Sequence, residues 1–285
     1  MRRLPAPEFD PANNVAEPLG KCLDPSPTSK YPMTASHSEP TQFISLKSNF
    51  AIVMLSLSCF FALPLMAEDN LGTLVFSDDF ARSETQSVKD EPGNGWNTSS
   101  SWSAKGNKQV ALLDGSLYIY IHPEAIHAVD VGHAFVFIDG TATMRFKFHE
   151  EKDTLMLNFA DLTYKEVHAG HICAATFGVK RVSLQDMKTG GMLLKYYDAR
   201  KAGTLSKEDE ALIKTKQISF PNDISLNEWH SLRVTIAGDT MTAAVDGKII
   251  GSFSSPGIAH ESKQVLRLLV SNKVTIDDVK YYKVK

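Results

Sequence analysis

Between positions 158 and 171 the chain gathers Asn158, Asp161, Glu166, His168 and His171. Amide and carboxylate side chains of this kind position hydroxyl groups. Imidazole nitrogens beside carboxylate oxygens also suit Zn²⁺ or a similar ion. His168 and His171 bracket Gly170, so a turn there brings both rings together. Histidines at their ordinary pKa near 6.5 predict binding or turnover that titrates between about pH 5 and 8. The same residues also suit a solvated loop between two strands whose histidines make ordinary backbone hydrogen bonds, which is the reading favoured over sugar contact or a metal, and all three stay open here. A second group, His122, Glu124, His127, Asp130 and His133, surrounds Pro123 without a ligand-like spacing and reads as mostly structural. Were the two loops to share one edge of the fold, five histidines would converge there. Among the aromatics, Trp96 and Trp102 sit in a polar stretch rich in Gly and Ser, which makes them the candidates for stacking on a ligand. Tyr118, Tyr120, Tyr164, Tyr196 and Tyr197 read chiefly as core filler. Asp78-Asp79 and Asp277-Asp278 are candidate positions for a structural Ca²⁺, although paired acids at strand ends also occur without metal.

The elements that must position these residues read as β-strands. Met144, Phe146 and Phe148 alternate with Arg145, Lys147 and His149, the period of a strand with one buried face. Asp114-Gly115, Asp139-Gly140, Gly238-Asp239 and Asp246-Gly247 separate alternating runs, a strong hairpin signal because these residues tolerate positive φ. Strands are expected over 74–80, 109–113, 116–121, 134–138, 142–148, 155–159, 172–177, 179–184 and 192–197. From Asn227 onward an antiparallel meander runs to the end of the chain. Only Ser206–Lys216 breaks the pattern. Its capping serine, early acids and closing lysines suit one short surface helix. The fold class expected is all-β, a two-sheet antiparallel jelly-roll sandwich with that single inserted helix.

The chain has 285 residues, 30 Lys and Arg, 33 Asp and Glu, and a net charge of −3. No basic patch argues for a nucleic-acid partner. Phe50 to Ala67 is almost wholly apolar, follows Lys47, contains Pro64 and precedes Glu68-Asp69, which predicts a signal peptide over 47–67 cleaved before Glu68. An uncleaved anchor is the alternative, and this segment is then the only route to a membrane. Residues 1–46 read as a disordered or mis-assigned leader, with Met33 as an alternative start. Cys59 lacks the aliphatic residue expected three positions before a lipidated cysteine. Cleavage removes equal numbers of acidic and basic residues. It leaves Cys173 as the sole cysteine of a single domain over 68–285, without an internal disulfide. Cys173 lies in the apolar run His171–Phe177 and reads as buried filler, not a nucleophile.

Val75-Phe-Ser-Asp-Asp-Phe-Ala-Arg-Ser, Asn227-Glu-Trp-His-Ser-Leu-Arg-Val with Val245-Asp-Gly-Lys, and Val274-Thr-Ile-Asp-Asp-Val-Lys resemble the concanavalin-A-like lectin and glucanase sandwich. More narrowly, they resemble bacterial secreted domains grouped with 3-keto-disaccharide hydrolases and described as family-16-glycoside-hydrolase-like. The resemblance spans most of 73–284. It implies a carbohydrate partner, and either glycan binding or 3-keto-glycoside hydrolysis, in a secreted, periplasmic or cell-envelope protein. The family-16 enzymes carry a Glu-x-Asp-x-x-Glu strand, since retaining hydrolysis needs two carboxyls about 5 Å apart. This sequence has no such triplet: Glu150, Glu151 and Asp153 fall at an expected turn, and Glu208, Asp209 and Glu210 fall on the expected helix. An enzyme reading therefore rests on resemblance alone. The alternative is a non-catalytic adhesion or scaffold module that binds another protein.

Overall fold

A computed structural model describes residues 71–284. The leader, the apolar 47–67 segment and the cleavage position lie outside these described residues. In chain order the elements are β1 (Thr73–Asp78), β2 (Asn97–Thr98), α1 (Ser100–Ser103), β3 (Val110–Leu113), β4 (Ser116–Tyr120), β5 (Val129–Phe137) and β6 (Gly140–Lys147). They continue with β7 (Thr154–Ala160), a 3₁₀ turn (His168–Gly170), β8 (His171–Gly178), β9 (Arg181–Asp186), α2 (Leu194–Lys201), α3 (Lys207–Lys214) and β10 (Gln217–Pro221). The chain closes with β11 (His230–Ala237), β12 (Thr240–Val245), β13 (Lys248–Ser254), β14 (Lys263–Val270) and β15 (Lys273–Lys283).

The strands form the two antiparallel sheets expected. The first has the order β13-β12-β11-β6-β15-β4-β3, with β1 also paired to β15, and the second the order β10-β9-β8-β7-β14-β5-β2. Alternation sends one face of every central strand inward. Met144, Phe146, Leu155, Leu157, Phe159, Phe177, Leu184, Leu266, Leu268 and Ile276 are buried in one continuous core. Cys173 is fully buried within it, and burial pushes its thiol up to about 12, so it stays a neutral packing group.

Several local expectations are corrected by long-range pairing. The C-terminal meander stops at β13: β14 inserts between β7 and β5 of the second sheet, and β15 between β6 and β4 of the first. Asp139-Gly140 is not a hairpin. It carries the chain from β5 in one sheet to β6 in the other, and Asp139 Oδ1 accepts the Gly238 N–H at 2.9 Å. Residues 192–197 are not a strand; Leu193, Tyr196 and Tyr197 carry the i, i+3, i+4 spacing of α2, whose Arg200 and Lys201 end suits the helix dipole. The described residues thus hold three helices, not one. The expected helix is present as α3, with the Ser206 hydroxyl accepting the Asp209 N–H at 3.0 Å. Trp96 lies in the protein layer and not in an open loop: it is 6% exposed, and its indole N–H donates to Asp78 at 2.8 Å.

The hairpin reading of Asp246-Gly247 holds: φ is +50° and +75°, and β12 pairs with β13 around it. Nothing lies within 4 Å of a Cβ placed on Gly247. Gly247→Val therefore meets backbone strain without a clash, and is expected to cost about 1–2 kcal/mol. A urea midpoint equal to that of the parent would refute this turn conformation.

Candidate functional site

Register across the second sheet brings together residues far apart in sequence. Asn97 pairs with Gly132, Gly132 with Arg267, Arg267 with Asn158, Asn158 with Ala174, Ala174 with Gln185, and Gln185 with Gln217. All seven lie on the outer face, because their chain neighbours Val131, Leu266, Leu268, Leu157, Phe159, Ala175 and Leu184 fill the core. At the usual spacing of about 4.8 Å per strand, the row crosses roughly 29 Å. The row is not open throughout: Asn158 and Ala174 are fully buried, with Met187 against the Asn158 amide, while Asn97 and Gln217 at its ends are exposed. A neighbouring row runs Asp130, Leu269, Met156, Thr176, Ser183 and Ser219.

At the centre, the Asn158 amide is oriented by its own contacts. Its Nδ2 lies 3.1 Å from Met187 Sδ and 3.5 Å from the Cys173 carbonyl oxygen, so Oδ1 faces His171 Nδ1 at 2.8 Å. Since Oδ1 only accepts, His171 Nδ1 carries the proton and Nε2 keeps a lone pair. Burial lowers the His171 pKa to about 3, assisted by the positive charge of Arg267 and by His168 and His127. Burial also lowers His168, whose ring stacks on Tyr197 of α2 at 3.8 Å and 8° and lies 6.2 Å from His171. The expectation of ordinary histidines titrating between pH 5 and 8 is thereby corrected for His171, which is neutral across that range.

Arg267 ties the site to its surrounding loops. Its Nη1 donates to the Ala169 carbonyl at 3.1 Å, and its Nε lies 3.5 Å from Asp130 Oδ2. Burial pushes the Asp130 carboxyl above its ordinary range, while Arg267 and His127 pull it the other way. On the same side, Trp102 of α1 is 42% exposed and tilts against His127, with ring centroids 5.4 Å apart.

Three of the five histidines therefore share one environment: His127, His168 and His171. The other two do not. His122 Nδ1 accepts the Glu124 N–H at 3.2 Å, and His133 packs 3.8 Å from the Phe76 ring. Of the other expected site residues, Asp161 is buried in its own turn. It accepts Thr163 N–H at 2.8 Å, Thr163 Oγ1–H at 2.6 Å and His260 Nε2 at 3.0 Å. Burial works to raise its pKa, but these donors outweigh it and hold the carboxyl below its ordinary value. Glu166 is exposed and accepts the Tyr164 hydroxyl at 2.8 Å. Arg267, Gln185, Gln217 and Asn97 were missed by sequence reasoning. The available signal was a lone arginine between Leu266 and Leu268 in the otherwise apolar run from Val265 to Val270.

No group of three or more His, Cys, Asp or Glu among the described residues could hold a metal ion. The Ca²⁺ candidates are occupied by donors. Asp78 takes Arg82, Trp96 and the Phe80 N–H; Asp277 takes Arg145 and the Asp278 N–H, and Asp278 pairs with Lys280. Asp153 is likewise committed, accepting the His149 and Glu150 N–H groups at 2.7 Å each. The face accordingly presents the amides of Asn97, Gln185 and Gln217, the Arg267 guanidinium, a neutral imidazole and one deeply set carboxyl, while the Asn158 amide is buried beneath them.

No family model matches the sequence, and no curated protein matches it. Among solved structures, the Bacillus licheniformis beta-glucanase is 10% identical, with a TM-score of 0.49 over 74% of this chain and 99% of that one. The carbohydrate-binding module CBM66 from Bacillus subtilis is 9% identical, with a TM-score of 0.44 over 66% and 96%. A Bacillus subtilis protein of unknown function with a galectin-like fold is 12% identical, with a TM-score of 0.48 over 74% and 96%. These neighbours are of the kind that the sequence motifs resemble. Likenesses this loose say nothing about what this chain binds.

Proposed function

We propose that this chain is a glycan-binding domain whose binding surface is the outer face of the seven-stranded sheet. The observation that carries this reading is the outer row of polar side chains, exposed at Asn97 and Gln217 and half-buried at Arg267 and Gln185, with the buried Asn158 beneath it fixing His171. Sugar hydroxyls donate and accept at once. Side-chain amides match both roles, and a guanidinium supplies rigid paired donors. Stacking surface for the CH face of a sugar comes from Trp102 and from the His168–Tyr197 pair. Secretion to a bacterial envelope or beyond, through the 47–67 segment, belongs to the same proposal.

A second reading, 3-keto-glycoside hydrolysis, rests on the sequence resemblance: the neutral His171 keeps an Nε2 lone pair, but burial lowers its pKa to about 3, which makes it a weak base for taking a proton from carbon. Protein-binding scaffold function has no comparable support, since this face is polar and not a contiguous apolar patch.

The deciding experiment is a glycan array with residues 68–285, followed by titration of the best binder. Arg267→Met and His171→Gln are expected to weaken binding at least about tenfold, which is about 1.4 kcal/mol. Thr242→Ala is expected to leave it unchanged, because Thr242 faces outward on the opposite sheet and bonds Ser252 at 2.8 Å. Because His171 is neutral from pH 5 to 8, its contribution is expected to stay constant across that range. Full affinity in both face variants would place the site elsewhere. Release of free sugar from a 3-keto-glycoside, lost in His171→Gln, would establish the enzyme reading.

A further inference from the structure

The eight-stranded sheet also turns one face outward. On it, β6 presents Thr143, Arg145 and Lys147, and β11 presents Ser231 and Arg233, because Met144, Phe146, Leu232 and Val234 point into the core. Register pairs Arg145 with Ser231 and Thr143 with Arg233. The two arginines are therefore diagonal neighbours on adjacent strands, about 7–8 Å apart at the backbone. A cavity of about 240 Å³ lies over them, lined by both arginines, Thr143, Ser231 and Asp278.

The carboxylates around this cavity are already engaged. Asp246 takes His230 Nδ1 at 2.7 Å and the Ser231 N–H at 2.8 Å, Asp277 takes Arg145 Nη1 at 3.1 Å, and Asp278 pairs with Lys280 at 2.8 Å. The cations are not used up. No acceptor among the described residues takes the other N–H groups of Arg145, and Lys147 pairs with no carboxylate there. Lys147 Nζ and the Arg145 guanidinium carbon lie 5.0 and 4.6 Å from the Trp229 ring centre, so the indole holds both cations in place. Past Lys147 the face continues in register through Thr275 to Tyr118. Thr275 is buried and bonded by His149 Nε2 at 2.8 Å; the His149 ring meets Tyr118 edge to face at 5.8 Å, and Tyr118 stacks on Tyr120 at 5.4 Å. These two tyrosines, expected as core filler, are half-buried and point outward.

We propose that this face is a second binding site, which takes the carboxylate or sulfate groups of an acidic polysaccharide. A guanidinium fork matches the paired oxygens of either group, so Arg145 and Arg233 hold one in the cavity. Lys147 meets another further along. The rings of His149, Tyr118 and Tyr120 offer surface for the CH faces of intervening sugars. The site shares no residue with the polar row on the opposite sheet and stands independently of it.

The test is titration calorimetry of residues 68–285, which include the whole described core, against three polymers of one backbone: dextran, carboxymethyl dextran and dextran sulfate. At least one charged polymer is expected to bind at least about tenfold more tightly than dextran, and the tighter of the two identifies the acidic group. Raising salt from about 0.05 to 0.5 M cuts the screening length to a few ångströms and is expected to remove most of that advantage. Arg145→Gln is expected to weaken charged-polymer binding about tenfold and Lys147→Gln about threefold. Lys147 has no ion pair to lose, so its variant tests the site even if Arg145→Gln unfolds. Arg267→Met, on the opposite sheet, is expected to leave this binding unchanged. The proposal is overturned if neither charged polymer outbinds dextran, or if binding survives in the double variant Arg145→Gln with Lys147→Gln. Equal affinity for polyglutamate or single-stranded DNA would also overturn it, since charge alone would then suffice.

Discussion

Gly170→Val is expected to destabilise the protein by about 3 kcal/mol and to abolish ligand binding together with it. Gly170 has φ +73° and follows Ala169, itself at φ +50°. Two consecutive left-handed residues turn the chain back so that the Gly170 carbonyl accepts the Asp161 N–H at 2.8 Å. A Cβ on Gly170 would lie 2.8 Å from the Asp161 carbonyl carbon and closer still to its oxygen. The neighbour is backbone and cannot swing aside, so valine adds a steric clash to backbone strain, each worth about 1–3 kcal/mol. For a domain of this size the melting temperature should fall by roughly 10 °C. The functional loss follows from the same geometry, since this turn holds His168, His171 and the carbonyl that orients Arg267. An unchanged urea midpoint would show that the turn is built differently.

His171 is expected to make the protein acid-labile, and His171→Gln to remove that dependence. The unfolded chain binds a proton at His171 with a pKa near 6.5, whereas the folded site holds it at about 3. Below pH 6.5 the unfolded state therefore binds more protons than the native state, and unfolding free energy falls with decreasing pH by up to about 1.4 kcal/mol per unit. The loss amounts to roughly 2–3 kcal/mol at pH 4.5 and levels off near pH 3, where the native state is protonated too. Lowered carboxylates such as Asp78 and Asp161 also favour unfolding at low pH, but they titrate in parent and variant alike. The difference between the two proteins isolates the histidine. At neutral pH the parent should be the more stable, through the Asn158 bond; toward pH 4.5 the gap should close or reverse. A gap that stays constant from pH 7 to 4.5 would mean that His171 is protonated freely in the fold.

Local signals carried much of the architecture. The alternation through Met144, Phe146 and Phe148 fixed which faces are buried. Asp114-Gly115, Gly238-Asp239 and Asp246-Gly247 each close the hairpin expected. Ser206 caps the helix that its acids and lysines announced. These are short-range effects of side-chain period, φ tolerance and helix dipole, and they are complete within a few residues. Asp139-Gly140 has the same local preference and a different outcome, because whether two strands stay in one sheet depends on what else each can pair with.

For the site, sequence adjacency brought forward Asn158, His168 and His171, which the fold keeps together. It also brought forward Asp161, whose carboxylate is consumed by Thr163 and His260, and Trp96, whose indole is consumed by Asp78 and the core. What the amino-acid order determined by itself was the all-β character, most of the strands and the polarity of their faces, since these follow from periods of two and from turn chemistry. What only the tertiary structure decided was the row from Asn97 to Gln217. Its members come from seven strands, and they are aligned by hydrogen-bond register between segments up to 135 positions apart (Gly132 and Arg267). Register of that kind is set by burying all the core faces at once, so no window of sequence contains it.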